Sequence, residues 1–389
     1  MRLKTQTVII KTTNDCNLNC KYCFVEKSVP RNQLISIGIV KRLFDELEMH
    51  SSVPKIRLIW HGGEPLLAGI TFFHDVLALQ KEYKKEFTNC IQTNGTLLTE
   101  DFAKFFKDNS FQLGLSLDGP KSLNDSARVD RSNNGTFDRV IKKMSILKTL
   151  KIPFGVLATI SKYNVGKAEE LYNFCKGHSL PLKLSPLYMS GNTRENIDLL
   201  SISPDEYAEF LIELTEIWMN DPSPVEIETL ESILGNVLAH GEYPTSCSFN
   251  PNCYEHFLAI GPTGDLYPCC LFQGFEEYKY GNISHLSIAE IPHSTVWKRL
   301  KGRTDYINVV CADCPIMEYC HGGCPFSAVA PYNTLNKKDY YCGAYRRSIP
   351  AILEITEKKI RRLENERRKE EGDWRTHSGT SQELQRDGL

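Results

Sequence analysis

Cys16, Cys20 and Cys23 fall in one short run near the start of the chain, Cys16-Asn17-Leu18-Asn19-Cys20-Lys21-Tyr22-Cys23. Thiolates spaced four and then three residues apart can hold three corners of a [4Fe–4S] cube. No fourth cysteine follows at similar spacing, so one iron would stay open to a substrate, as in catalytic metal sites. The competing chemistry is a zinc knuckle completed by a distant His or Cys. A second set runs through Cys247, Cys253, Cys269, Cys270, Cys311, Cys314, Cys320, Cys324 and Cys342. Cys90 and Cys175 stand apart in apolar stretches suited to small buried side chains. The opening residues lack the apolar core and cleavage site of a signal peptide, so a cytoplasmic protein is expected. In that reducing compartment 14 cysteines point to metal, not to disulfides.

These residues need a frame to position them. Strand-like runs at Thr7–Thr12, Lys55–Trp60, Phe87–Gln92, Gln112–Leu117, Phe154–Ile160 and Leu182–Leu187 alternate with amphipathic helical stretches. Ser36 can cap a helix whose Val40, Leu43, Phe44 and Leu47 share one face. Repeated β–α units predict an α/β fold with a parallel sheet, either open and doubly wound or a partial barrel. A further helix is predicted over Asp205–Asn220. From Gly241 to Cys342 the chain is rich in Pro, Gly and Cys with short apolar runs, so metal must organise what hydrophobic burial cannot. The expected domains are residues 1–235, 236–348, and 349–389, the last a helix followed by a disordered tail from about Gly372.

Charge and hydropathy exclude other classes. The 46 basic and 48 acidic side chains nearly cancel, giving a net charge of −2 and no electrostatic reason to expect nucleic acid. No apolar run is long enough to span a membrane.

The first cysteine run, with Tyr22 before its last cysteine, resembles the radical S-adenosylmethionine (SAM) superfamily. The resemblance extends along the strand ends through Gly62-Gly63-Glu64-Pro65, Gln92-Thr93-Asn94-Gly95 and Ser116-Leu117-Asp118-Gly119, with Arg128 following. It implies a partial (β/α)6 TIM-like barrel. It also implies that Tyr22, Gly62, Gly63, Glu64 and Asn94 surround SAM, that Ser116 and Arg128 bind its ribose and carboxylate, and that Leu187 contacts adenine; Arg131 is the reserve arginine. The second cysteine set is similar to the SPASM domain, a small cysteine-rich module carrying auxiliary clusters. By that likeness Cys247, Cys253, Cys269 and Cys324 hold auxiliary cluster I, and Cys311, Cys314, Cys320 and Cys342 hold auxiliary cluster II. The implied cofactors are three [4Fe–4S] clusters and SAM, which yields a 5′-deoxyadenosyl radical that abstracts hydrogen from a C–H bond. A hairpin at Gly264-Asp265-Leu266-Tyr267-Pro268 should bring Cys269 to its cluster, and Gly322-Gly323 should have a backbone reason. His256 and His321 read as structural.

SPASM domains accompany enzymes acting on peptides, so a peptide or protein substrate is expected. An external one-electron donor of flavodoxin or ferredoxin type is also expected, with a separate leader-binding protein if a leader is recognised. The cysteine layout resembles anaerobic sulfatase-maturating enzymes, which oxidise Cys or Ser to formylglycine. Those enzymes carry an Asp, a Tyr and a Gln where this chain has Cys270, Val25 and His61. Trp60-His61-Gly62-Gly63-Glu64-Pro65 resembles instead the maturases that crosslink ribosomal peptides. Crosslinking is therefore expected ahead of formylglycine formation, with dehydrogenation of a small-molecule alcohol third. Cys270 is the candidate catalytic group.

Overall fold

The computed structural model describes residues 5–241 and 246–377, with side chains to residue 368. Six strands pair in sequence order, each parallel to its neighbour: β1 (Thr5–Lys11), β2 (Lys55–His61), β3 (Glu86–Thr93), β4 (Gln112–Ser116), β5 (Phe154–Ile160) and β6 (Leu182–Pro186). They match the six expected runs, with small shifts at some ends. Sequential parallel order with helices between strands is the partial-barrel alternative.

Local chemistry accounts for the helices. In α1 (Ile37–His50), Ser36 Oγ accepts the Ile39 N–H at 3.2 Å, and Val40, Leu43, Phe44 and Leu47 are buried as their spacing predicts. The helix Pro204–Asn220 opens with a full capping box between Ser203 and Glu206. Trp60 and Phe73 meet edge to face, and Phe73 packs in turn on Phe102, Phe106 and Phe111, tying the strands to the helices outside them.

The cysteine-rich segment does not sit apart from this sheet. Its strand β7 (Phe257–Ile260) pairs parallel with the free edge of β1, and the short antiparallel strands β8 (Asp265–Tyr267) and β9 (Gly281–Asn282) extend the sheet. Gly264 turns the expected β7–β8 hairpin at φ +90°. The expected boundary after residue 235 falls inside a helix, Glu228–Leu238. The last helix begins at Cys342, ahead of the expected start at 349, and runs to His377, past Gly372. Pairs such as Glu354–Lys358 and Arg362–Glu366 line its exposed face. The rest of the expected disordered tail, 378–389, lies outside the described residues. Cys175 is buried as expected, whereas Cys90 is half-buried with its Sγ 3.2 Å from Gln112 Oε1. No helix among the described residues is long and apolar enough to cross a membrane.

A buried carboxylate also joins the two parts. Glu46, 2% exposed on α1, accepts from Ser287 Oγ at 2.6 Å and Ile288 N–H at 2.9 Å, and Arg42 lies at 2.6 Å. Glu46→Ala should lower unfolding stability by about 1–3 kcal/mol, because both donors are orphaned. Urea denaturation of wild type and variant measures it, and an unchanged midpoint would contradict the account.

Candidate functional site

The carboxyl ends of the strands open on a cavity of about 280 Å3, where ligand sites of parallel sheets lie. Cys16, Cys20 and Cys23 line it from the loop after β1, and Cys270 and Leu271 from the cysteine-rich segment. A larger cavity, about 960 Å3, lies against residues near the opposite ends of β4, β5 and β6, lined by Gln112, Phe154 and Pro181, and no cysteine borders it.

The cysteine loop is held by its surroundings. Gly63 N–H donates to Thr13 O at 2.8 Å and Glu64 N–H to Asp15 O at 2.9 Å. A Cβ on Gly62 would come 2.2 Å from Thr13 O, and one on Gly63 2.1 Å from Asp15 O. The two glycines are therefore needed where one loop backbone crosses another, in addition to lining the cavity. Arg131 donates twice to Cys16 O, at 2.6 and 3.1 Å, so the reserve arginine serves the loop backbone. Asn94 Nδ2 lies 3.7 Å from Cys16 Sγ and donates to Asn17 Oδ1 at 2.9 Å. Desolvation pushes the thiols of Cys16 and Cys20 up to about 12, so they stay protonated at neutral pH until a metal takes the thiolate.

Asp118 forms a hub that sequence reasoning quoted only as part of a motif. It accepts from the Tyr22 hydroxyl, from Arg128 Nη2 at 3.1 Å and from Thr159 N–H at 2.9 Å. The Arg128 guanidinium stacks 5.3 Å from the Tyr22 ring, and its Nε has no partner. Ser116, on the cavity wall with Arg128, accepts from Gln92 Nε2 at 3.0 Å.

Two expected SAM neighbours are not on the wall. Glu64 is fully buried beneath the loop, where it accepts from Thr93 Oγ1, Asn94 N–H and Leu66 N–H; desolvation raises it to about 7. Leu187 packs in a small buried cluster with Tyr22, Ala127 and Leu200, and Pro186 and Tyr188 line the cavity beside it. Its carbonyl accepts from Tyr341 of the cysteine-rich segment at 2.8 Å. His61 lines the cavity with Nδ1 accepting the Gly62 N–H at 2.7 Å. Burial and then Lys11 lower His61 to about 4, so it is neutral at pH 7.

The remaining cysteines form two neighbourhoods. In the first, desolvation is the main cause of the upward shifts: Cys253 goes up to about 12, with Cys247 next; for Cys324 the next causes are Asp339, Cys247 and Cys253, and for Cys269 they are Cys270, Cys324 and Cys253. In the other group, desolvation again leads, followed by Asp339 and Cys342 for Cys320, and for Cys342 by Lys338, which lowers it, and Cys311, which raises it. Thiols are the donor chemistry that iron–sulfur clusters take, although no three His, Cys, Asp or Glu side chains among the described residues converge closely enough to hold a single metal ion. Asp339 braces both groups, accepting from Cys324 N–H at 2.8 Å, Ser327 Oγ at 2.6 Å and Tyr341 N–H at 2.7 Å. The glycines between Cys320 and Cys324 have positive φ, and a Cβ would strike Ile307 at Gly322 and Asp339 at Gly323. His321 adopts φ +49° between the cysteines, and burial lowers its pKa below the usual imidazole value.

Residues 10–175 match the radical SAM superfamily, and residues 247–315 match SPASM, an iron–sulfur cluster-binding domain. The chain is 30% identical over 361 residues to a cysteine-type anaerobic sulfatase-maturating enzyme of Clostridium novyi (strain NT), covering 88% of this chain and 94% of that one. It is 29% identical over 336 residues to a serine-type anaerobic sulfatase-maturating enzyme of Bacteroides thetaiotaomicron, covering 80% of each. Among solved structures, native anSMEcpe with bound AdoMet aligns with TM-score 0.80 at 24% identity over 91% of this chain and 99% of that one, a likeness of fold. Both curated relatives carry the activity that the sequence alone placed second, behind crosslinking.

The Asp118–Arg128 pair is nearly sealed from solvent, so removing one partner strands the other. Arg128→Ala and Asp118→Ala should each cost about 3–5 kcal/mol, and the double variant less than the sum. Chemical denaturation of the four proteins forms the test; strict additivity would mean the two side chains do not couple.

Proposed function

We propose, for a chain that belongs to the radical SAM superfamily and joins that core to a SPASM domain, that it oxidises a cysteine or serine side chain of a peptide or protein to formylglycine. The observation that carries this is the cavity wall. It is lined by Cys16, Cys20 and Cys23 from the barrel and by Cys270 from the cysteine-rich segment, and Cys270 directly follows Cys269 in the chain. A substrate side chain there would lie in a space bordered by both cysteine groups.

SAM and the iron–sulfur clusters, when bound, supply the 5′-deoxyadenosyl radical and the electron acceptor. The first group of three cysteines is proposed to hold the SAM cluster, with one iron open. Cys247, Cys253, Cys269 and Cys324 are proposed for auxiliary cluster I, and Cys311, Cys314, Cys320 and Cys342 for auxiliary cluster II. Ser116 and the free Nε of Arg128 are proposed to meet the ribose and carboxylate of SAM. Formylglycine formation would remove one hydrogen atom from the substrate Cβ, one further electron and the S–H or O–H proton. The bound cofactors would supply the radical and the electron acceptor, and the proton would pass to water in the cavity, since among the described residues no carboxylate lines it. Serine gives the aldehyde directly; cysteine gives a thioaldehyde that water converts to aldehyde and hydrogen sulfide. A flavodoxin or ferredoxin would supply the electron that starts the cycle.

A second reading has its own support. Val25, His61 and Cys270 all line the cavity, and among the described residues no Asp or Glu does. A wall without a carboxylate to take the proton favours peptide crosslinking, which begins with the same hydrogen abstraction. A separate leader-binding protein would serve that reading.

Anaerobically reconstituted protein should hold about 12 irons per chain, and the triple Ala variant at Cys16, Cys20 and Cys23 should keep about two-thirds of them while losing SAM cleavage. Stoichiometric zinc in place of the auxiliary iron would overturn the cluster assignment. Mass spectrometry of a cysteine peptide after turnover separates the products: a loss of about 18 mass units marks thiol-to-aldehyde oxidation, and about 2 marks a crosslink.

A further inference from the structure

Lys11 ends β1 and is 1% exposed. No hydrogen bond or ion pair is formed by its ammonium among the described residues; its one directional contact is the Phe24 ring, 5.3 Å from Nζ to centroid. Phe24 follows Cys23 directly, and its ring lies 6.1 Å from that of His61, the residue opposite Lys11 on β2. On the other edge of β1, Ile10 pairs with Ile260, the last residue of β7 before the hairpin that leads to Cys269 and Cys270. Lys11 thus stands at the seam where the first cysteine group and the cysteine-rich segment meet. A buried ammonium with no carboxylate beside it needs compensating negative charge. Desolvation lowers its pKa, whereas Cys270, Cys23 and Cys269 are the main influences holding it up.

We propose that Lys11 is the counter-ion shared by two iron–sulfur clusters, those of the Cys23 and Cys269 groups, and that its charge raises both reduction potentials. The inference rests on the cluster assignment above. A positive charge favours the reduced, more negative form of each cube, because net charge and environment set iron–sulfur potentials. Auxiliary cluster I becomes the better acceptor for an electron leaving the substrate, and the SAM cluster becomes easier for the external donor to reduce. Lys11 is a tuning residue that acts through the clusters. Auxiliary cluster II, whose proposed ligands Cys311, Cys314, Cys320 and Cys342 lie beyond the β7–β8 hairpin that meets β1, supplies an internal control.

The test is EPR-monitored redox titration of reconstituted wild type, Lys11→Met, Lys11→Gln and Lys11→Arg, with each cluster isolated by Cys→Ala replacement of the other sets. The neutral variants should weaken one-electron reduction of the SAM cluster and auxiliary cluster I tenfold or more, which is about 59 mV toward negative potential for one electron. Lys11→Arg should stay near wild type, and auxiliary cluster II should not move. Loss of iron from these two clusters in both neutral variants, with retention in Lys11→Arg, supports the same role. Unchanged potentials in a fully loaded neutral variant overturn it, as does iron loss in Lys11→Arg equal to that in Lys11→Met. Absence of clusters from wild type would defeat the underlying assignment instead, and iron analysis reads that separately.

Discussion

Strand β1 is bonded on both edges, to β2 on one side and to β7 on the other, and the placement of every candidate ligand depends on that. The first pairing puts the carboxyl end of β1, and so the loop bearing Cys16, beside the loop bearing Gly62 and Gly63. The second makes the cysteine-rich segment continue the barrel's own sheet. Register is strict in such pairings, since a slip of one residue exchanges the faces of a strand. A slip of β7 would carry the β7–β8 hairpin with it, and Cys269 and Cys270 would leave the cavity mouth. Glu46 and Tyr341 add anchors from α1 and from the Leu187 carbonyl, at points far from the strand pairing.

What could be read without coordinates follows from how local each signal is. The six barrel strands are bounded runs separated by periodic helices, and the cysteines declare themselves by type and spacing. β7 did not: Leu258, Ala259 and Ile260 are all buried, so the strand lacks alternation, and four residues are too few to distinguish a buried strand from a buried helical turn. The motifs at 62–65, 92–95 and 116–119 lie on loops that border the cavity, but the sequence did not show which of their side chains face it. Glu64 and Leu187 face inward, and Asp118 carries the polar network, because those roles are decided by which loop packs over which. Lys11 reads as an ordinary strand residue until the sheet order shows what lies on both sides of it.

The cysteine loop after β1 has almost no regular structure, yet its backbone is well partnered. Thr13, Asp15 and Cys16 carbonyls each accept from a neighbouring loop, and Cys23 O takes the Asn192 N–H at 2.8 Å. Those bonds do not involve iron. They hold the loop's path before a metal arrives, so binding need not order the backbone. The cysteine-rich segment uses the same device with a different donor set. There a single buried carboxylate, Asp339, gathers the chain on either side of Cys324 and the turn leading into Cys342.

Charge around the cavity narrows the chemistry further. Arg128 is committed to Asp118, His61 is neutral, and Lys11 sits behind the wall. Among the described residues the wall therefore presents polar side chains such as Ser116 and Arg128 but no carboxylate. In the proposed reaction, radical generation would depend on the barrel, which is held by burial and by the Asp118 hub, and the fate of the radical on the rest of the wall, which includes Val25, His61 and Cys270. Of these three, His61 also takes part in the loop crossing, its Nδ1 accepting the Gly62 N–H and its carbonyl the Thr12 N–H. On the proposed reading, Val25 and Cys270 are therefore the positions where the formylglycine and crosslinking reactions would most directly part.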